Sequence, residues 1–337
     1  MKRVAINGLG RIGKMLLWHY VSSRPDNLEI VIANGGSGTP EDLAYMLKFD
    51  SVHGAFPASV EYDDESLIVG GKKIALVSER DPARLPWRDE EIDIVLECTG
   101  RFVKRDDAAR HLEAGAKKVL ISAPGKNEDV TIVLGVNDDW YRPEEHHIIS
   151  NASCTTNSLA PAMKVLEENF GVESAHITTT HAYTSSQVTI DRKQPGKHRR
   201  GRAAAMNIIP TTTGAAKATT KVIPSLEGKM TAMALRVPVP DGAITEIVAN
   251  LGRETSVDEV NGAFEKAMNG PLKGILQISY DELVSSDILG NSHSSIIDGL
   301  STQIVGGKMV KVMAWYDNEF GYAGRLLELA SMVASRM

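Results

Sequence analysis

The residue types with the most chemistry in them stand together in Ser150-Asn151-Ala152-Ser153-Cys154-Thr155-Thr156-Asn157. Upstream, His146 to Ile149 reads as a short strand; downstream, Ser158 to Phe170 reads as a helix with Leu159, Met163, Leu166 and Phe170 at helical spacing and Gly171 as its stop. Cys154 therefore lies where a strand hands over to a helix N-terminus, whose unpaired N–H groups and positive dipole end favour thiolate over thiol. The same N–H groups, with the hydroxyls of Ser153, Thr155 and Thr156, form a receptor for a phosphate or a developing oxyanion. Taken alone, the stretch is slightly better explained by a helix cap over a small buried thiol. Its surroundings favour the nucleophile. His181, at a strand end beside Thr180 and Thr184 and distant from Cys154 in sequence, is the candidate base, the alternative being a core histidine. Thr211-Thr212-Thr213-Gly214-Ala215-Ala216-Lys217 opens another helix with hydroxyls and free N–H groups, a second anion cradle or an ordinary capped start.

A different chemistry is written near the start. The strand Arg3 to Asn7 runs into Gly8-Leu9-Gly10-Arg11-Ile12-Gly13, then a helix over Lys14–Ser22 and a second apolar strand over Leu28–Asn34. A bare G-x-G-x-x-G is a weak signal, but between strand and helix it is the dinucleotide-binding arrangement. Gly8, Gly10 and Gly13 permit the tight turn and the approach of backbone to a pyrophosphate, and the helix N-terminus carries the anion. The acidic residue expected at the end of the second strand is missing: Ile32-Ala33-Asn34-Gly35-Gly36-Ser37-Gly38 holds no carboxylate. Either the loop binds NAD less well, or room is left for the 2′-phosphate of NADP, which a carboxylate would repel.

The elements that must position these residues follow an α/β rhythm. Pro40–Asp50 reads as a helix, Ser59–Glu79 as a strand-rich excursion turned at Gly70-Gly71, Asp93–Gly100 and Lys118–Gly125 as buried strands, Asp106–Ala116 as a helix between them, and Val130–Leu134 as a further strand. This is a Rossmann-type doubly wound parallel sheet, with Thr99 and Ser122 at strand ends where ligands bind. Cys98, inside an apolar strand, reads as packing. Beyond Cys154 the strands lengthen: His176–Thr184, Met230–Val237, Thr245–Leu251 and a hairpin over Ile304–Tyr316, with helices over Val257–Met268 and Gly324–Arg336. That half reads as an α+β domain with an antiparallel sheet. The expected domains are 1–153, with a terminal helix 319–337 packing back on it, and 154–318.

With 337 residues, 42% apolar and 24% charged, the composition is that of a two-domain globular protein. A net charge of −6 gives no general reason to expect nucleic acid or an anionic membrane as partner. One run, Asp191 to Arg202, is strongly basic; it can be a polyanion patch, a solvated loop or a wall that neutralises phosphates, and it lacks the interleaved aromatics of a single-strand binder. Two cysteines make no disulfide framework, no apolar run reaches membrane-helix length, and a strand begins at once, so a cytoplasmic protein is expected. His146 and His147 alternate across a strand, and no Cys/His spacing suggests a metal site.

From Ala5-Ile6-Asn7-Gly8 to Trp315-Tyr316-Asp317-Asn318-Glu319 the chain closely resembles the phosphorylating glyceraldehyde-3-phosphate dehydrogenases, with Ala152–Asn157, Pro210–Lys217 and Leu235-Arg236-Val237-Pro238 as the most specific matches. The resemblance implies a thioester mechanism acting on glyceraldehyde 3-phosphate and inorganic phosphate, with NADP or NAD as cofactor. It also implies a homotetramer in which the basic loop after His181 reaches a neighbour's cofactor. By that resemblance Cys154 is the nucleophile and His181 the base; Thr184 and Arg236 hold the substrate's own phosphate; and Ser153, Thr155, Thr213 and Gly214 hold inorganic phosphate. Arg11, Ile12, Asn34, Arg80, Thr99, Ser122, Asn318 and Tyr322 match cofactor contacts.

Departures from the pattern bear on specificity. Gly35 stands where NAD-specific members carry Asp, and Arg192-Lys193 where they carry Leu-Pro, which together point to NADP. Ser158 replaces a common second cysteine, Ser185-Ser186 a pair ending in Asp, and Asp241-Gly242 an Asn-Val, while Phe320 stands for Trp. A sister activity on erythrose 4-phosphate is the alternative enzyme, disfavoured because those members depart around Thr184. An alternative of another class, an RNA or polyanion binder using residues 191–202, leaves Cys154 and His181 unexplained.

Overall fold

The computed structural model describes residues 1–337, which divide into two compact units: 1–132 with 138–153 and 322–337, and 133–137 with 154–321. The first unit is built on β1 (Lys2–Asn7), α1 (Arg11–Ser23), β2 (Leu28–Asn34), α2 (Pro40–Lys48), the short pair β3 (Phe49–Asp50) and β4 (Gly54–Ala55), and the excursion β5 (Val60–Tyr62), β6 (Ser66–Val69) and β7 (Lys72–Val77). It continues through β8 (Ile94–Glu97), α3 (Arg105–Glu113), β9 (Lys118–Ile121), β10 (Val130–Thr131) and β11 (Ile148–Ser150). One nine-stranded sheet runs in the order β10-β11-β9-β8-β1-β2-β7-β6-β5. It is parallel from β10 to β7, and only the β5–β6–β7 excursion is antiparallel. Strand order reverses between β1 and β8, so the crevice at their C-terminal ends is the switch point where such sheets bind ligands. The central strands are largely apolar, with Val4, Ala5, Ile6, Ile94, Val95 and Leu96 fully buried, as a sheet covered on both faces requires.

The second unit contains α4 (Cys154–Phe170), β12 (Val172–Ala182), β13 (Ile209–Thr212), α5 (Ala215–Val222), β14 (Met230–Val237), β15 (Ala243–Leu251), α6 (Val257–Met268), β16 (Leu276–Ser279), β17 (Ser295–Asp298), β18 (Gln303–Val305) and β19 (Met309–Tyr316). Helix α7 (Phe320–Arg336) follows, and from Tyr322 it belongs to the first unit. The eight-stranded sheet is mixed rather than wholly antiparallel: β12 pairs in parallel with β14, and β16 with β17. The expectation of an antiparallel sheet rested on alternation, which does not report direction. The long connection through β13 and α5 lets β14 return in the same sense as β12. The core is formed where α4 and α6 lay Leu159, Met163, Leu166, Val260 and Phe264 on Ile177, Ile247, Val312 and Ala314 of the sheet. Helix α4 starts at Cys154 itself, four residues before the apolar periodicity shows it, because its first turn (Cys-Thr-Thr-Asn) carries no apolar stripe. No helix is long and apolar enough to cross a membrane.

Candidate functional site

The chain enters α4 through a constrained turn. Ala152 has φ 55°, a left-handed conformation unusual for a residue with a Cβ. It is held from both sides: its N–H donates to Ser150 Oγ at 3.0 Å, and the Tyr322 hydroxyl donates to its carbonyl at 3.0 Å. Two residues later Cys154 opens the helix.

In the second unit, Cys154 Sγ lies 3.5 Å from His181 Nε2. His181 ends β12, and parallel pairing of β12 with β14 sets it directly opposite Arg236. Its Nδ1 is 2.7 Å from the carbonyl of Ala182, which only accepts; in the tautomer with the proton on Nδ1, Nε2 turns its lone pair to the sulfur. Arg236 Nη1 donates to the same carbonyl at 2.7 Å and lies 2.9 Å from Nδ1. The hydroxyl of Tyr316 is buried 2.9 Å from both Thr155 Oγ1 and Thr179 Oγ1, and its ring stands edge-on to His181 at 5.9 Å. One phenol thus braces the first turn of α4, β12 and the imidazole together.

Electrostatics refine the expectation of a ready-made thiolate. Burial pushes the Cys154 thiol up from its ordinary value, against the pull of Arg236 and of the Thr155 hydroxyl and N–H. Burial, with the Arg236 guanidinium next, pushes His181 down to about 3. Each charge alone is disfavoured; made together by moving one proton from Sγ to Nε2, they stabilise each other. At the sulfur, burial outweighs the pull of Arg236 and of the first turn of the helix.

The second candidate anion cradle opens α5, whose first turn is capped by Thr213. Thr213 Oγ1 accepts from Ala215 N at 3.2 Å, and Gly214, at the α5 N-cap, makes no side-chain cap. Sequence reasoning passed over Arg200. Of the cations in the basic run it alone is not exposed, and its Nε donates to Thr211 Oγ1 at 2.9 Å and its Nη2 to Thr212 O at 3.3 Å. Nothing within a run of like charges marks the one residue that folds inward. Thr184 lies past the end of β12 with Oγ1 2.9 Å from Ser186 Oγ, while Arg192 and Lys193 are exposed on their loop. Asp241 and Asp317, 2% and 1% exposed, are neighbouring carboxyls. Burial, with the Asp241 carboxyl next, pushes Asp317 up to about 7. Asp317 Oδ1 accepts from the N–H groups of Glu319 and Phe320 and so shapes the segment carrying buried Asn318.

In the first unit, a cleft of about 670 Å³ opens at the switch point and is lined by Gly8, Gly10, Asn34, Gly35, Arg80 and Thr99 among others. Gly8 has φ +104° and its missing Cβ would stand 2.9 Å from Thr99 Cγ2; a Cβ on Gly13 would stand 2.2 Å from Gly8 O. The N-cap of α1 is Gly10, with no side-chain cap and open space around it. Uncapped N–H groups of Arg11 and Ile12 thus begin the helix under a turn only glycine can make, which fits the pyrophosphate of a dinucleotide. The Arg11 guanidinium itself is spent on the buried Asp50, which also binds Lys14, so Arg11 can serve that site through its backbone. Ser122, at the end of β9, bonds the Cys98 thiol, which burial pushes up and leaves inert as a nucleophile.

Two family models match the chain: the glyceraldehyde 3-phosphate dehydrogenase NAD binding domain over residues 2–105 and the C-terminal domain of the same enzyme over residues 153–318. Among curated proteins, the chain is 53% identical over 335 residues to the glyceraldehyde-3-phosphate dehydrogenase of Geobacillus stearothermophilus, covering 99% of this chain and 98% of that one. It is 51% identical to glyceraldehyde-3-phosphate dehydrogenase 2 of Bacillus subtilis over 336 residues, covering 99% and 97%. It is also 51% identical to the Streptomyces coelicolor enzyme over 337 residues, covering 99% of each.

Proposed function

The chain belongs to the glyceraldehyde-3-phosphate dehydrogenase family, and from that premise we propose that it oxidises glyceraldehyde 3-phosphate with inorganic phosphate, reversibly, through a thioester on Cys154. The observation that carries the reading is Cys154 Sγ at a helix N-terminus, 3.5 Å from Nε2 of an imidazole whose Nδ1 faces the Ala182 carbonyl at 2.7 Å. As sulfur attacks the aldehyde carbon, Nε2 of His181 takes the thiol proton. It then passes that proton to the alkoxide and recovers it from the hydroxyl as the carbonyl re-forms. The N–H groups opening α4 lie where the oxyanion develops. The bound nicotinamide supplies the hydride acceptor. What remains on the protein is an acyl thioester at Cys154; phosphate oxygen attacks it, the C–S bond breaks, and the acyl phosphate leaves a sulfur that regains its proton from His181.

Arg236 and Thr184 are assigned to the substrate's own phosphate, and Ser153, Thr155, Thr213 and Gly214 to inorganic phosphate. Arg200 joins the latter on the strength of its bonds to Thr211 and Thr212. For the cofactor, NADP is preferred over NAD: Gly35 removes a carboxylate from the cleft wall, and Gly36 and Ser37 offer N–H groups and a hydroxyl. The working form is a homotetramer, in which Arg192 and Lys193 approach a neighbour's adenosine. The strongly exposed Ile190, Met206 and Ile208 in the same segment, 78%, 82% and 68% accessible, support burial by another subunit. Initial rates with glyceraldehyde 3-phosphate, with and without inorganic phosphate and with each dinucleotide, test the reading. A rate independent of phosphate, or a stronger one with erythrose 4-phosphate, overturns it.

A further inference from the structure

Strand β8 ends on Glu97, a carboxylate 1% exposed, with no lysine or arginine beside it. Its charge is met by donors. Oε1 accepts from Thr99 N at 2.8 Å and from the Thr99 hydroxyl; Oε2 accepts from Asn7 Nδ2 at 2.5 Å and faces His111 Nε2 at 3.1 Å. The state of His111, fully buried, follows from the group behind it. Trp87 Nε1 approaches His111 Nδ1 at 2.9 Å, and an indole N–H can only donate. Nδ1 is therefore an acceptor, the ring is neutral, and its proton sits on Nε2, aimed at Glu97.

The polarity then passes along the ends of the parallel strands. Because Asn7 spends its amide N–H on Glu97, it presents Oδ1 to Asn34, whose Nδ2 donates to it at 2.7 Å and to Glu79 O at 2.7 Å. Asn34 Oδ1 in turn accepts from Glu79 N at 3.2 Å. Asn7, Asn34, Glu79 and Thr99 all line the cleft of the first unit. Thr99, its hydroxyl proton spent on Glu97, has only lone pairs left, one of them taken by Arg101 N at 3.1 Å.

We propose that Glu97 is the positioning residue of this cleft. Its buried carboxylate fixes the orientation of Asn7 and Asn34 at one stroke and makes the Thr99 end acceptor-only, a place for a hydroxyl or carboxamide donor of the ligand that rejects phosphate oxygen. The proposal rests on the dinucleotide reading of the cleft. Glu97→Gln keeps shape and size but puts an amide N–H2 among donors. On one side it meets Asn7 Nδ2 and His111 Nε2–H, on the other Thr99 N–H and O–H, and Trp87 blocks the tautomer change by which His111 could yield.

The test is titration calorimetry with NAD and with NADP. Glu97→Gln is expected to weaken both by about tenfold or more, the effect of one buried donor left without an acceptor. The rate of Cys154 alkylation by iodoacetamide should stay within about twofold, since that sulfur lies in the other unit. The double variant Glu97→Gln/Trp87→Phe frees His111 to carry its proton on Nδ1 and accept at Nε2, so it should bind at least about threefold more tightly than Glu97→Gln alone. If Glu97 served packing only, a second loss from the same buried cluster would weaken binding further, and that result overturns the proposal. If the single variant does not fold, recovery of folded, dinucleotide-binding protein in the double variant is the same rescue, and an equally unfolded double variant overturns it. A wild type that binds neither dinucleotide overturns the dinucleotide reading. A wild type that binds, with Glu97→Gln binding equally, overturns only the role of Glu97.

Discussion

Replacing Gly35 by Asp should move the ratio of kcat/KM for NADP to that for NAD toward NAD. The position accepts a side chain, since the φ of Gly35 is not in the left-handed region; the new Cβ stands 2.5 Å from Leu43 Cδ1. That contact is with the end of a flexible side chain. Leu43 borders a void of about 20 Å³ shared with Leu9, Leu17 and Leu47, into which it can turn. Whatever the rearrangement costs, it falls on both cofactors and cancels in their ratio. The charge does not cancel. A carboxylate beside a 2′-phosphate of charge about −1.5 to −2, in a cleft open to water, costs about 1–2 kcal/mol. Accepting from the ribose hydroxyls of NAD returns about 1 kcal/mol. The sum, about 2–3 kcal/mol, is a shift of roughly 30- to 150-fold in the ratio of kcat/KM for NADP to that for NAD. Initial rates over both cofactors measure it, and Gly35→Ala, which adds the Cβ without the charge, should leave the ratio within about twofold. Adding Arg192→Leu and Lys193→Pro should carry the ratio further toward NAD. An unchanged ratio in Gly35→Asp, or an equal shift in Gly35→Ala, would refute the electrostatic reasoning.

Three further outcomes are expected. Cys154→Ser should lose several orders of magnitude in dehydrogenase rate while retaining dinucleotide affinity, because an alcohol replaces a thiol that His181 can deprotonate; retention of more than a few per cent of the rate speaks against covalent catalysis. Arg236→Ala should cost about 2–3 kcal/mol in kcat/KM for the phosphorylated aldehyde beyond its effect on an unphosphorylated analogue. Some loss with both is expected, since Arg236 also holds the Ala182 carbonyl beside His181; equal losses would make it structural. Unfolded His181 takes a proton near 6.5 whereas the folded site resists until about 3, so the unfolded chain binds more protons between those values. Stability should therefore fall as pH drops from 6.5 toward 3, by at most about 5 kcal/mol from this residue, and be flat in it above 6.5. Denaturant titrations of wild type and His181→Asn that run parallel across pH 4–6.5 would exclude that contribution.

Local physics made much of this legible in one dimension. Gly13 is required by a clash with Gly8 five residues before it and Gly8 by its own positive φ, so their spacing marks the turn, and Gly35 records what the second strand lacks; that Gly8 also makes room for Thr99 only the fold shows. The handover at Ser153–Cys154 shows because strand and helix have different apolar periods; the true start of α4 does not, because its first turn has no apolar residue. What the tertiary structure decided is every relation set by long-range register. His181 meets Arg236 because β12 and β14 run parallel, a direction no alternation encodes. Arg200 differs from its basic neighbours only in folding back onto Thr211, and Arg11 turns from the cleft to Asp50 because α1 and the end of β3 converge. Glu97, His111 and Trp87 read as unrelated residues of a strand, a helix and a loop. Their proton positions follow only when packing leaves each donor a single acceptor, since hydrogen bonds between residues distant in sequence depend on burial that the sequence does not state.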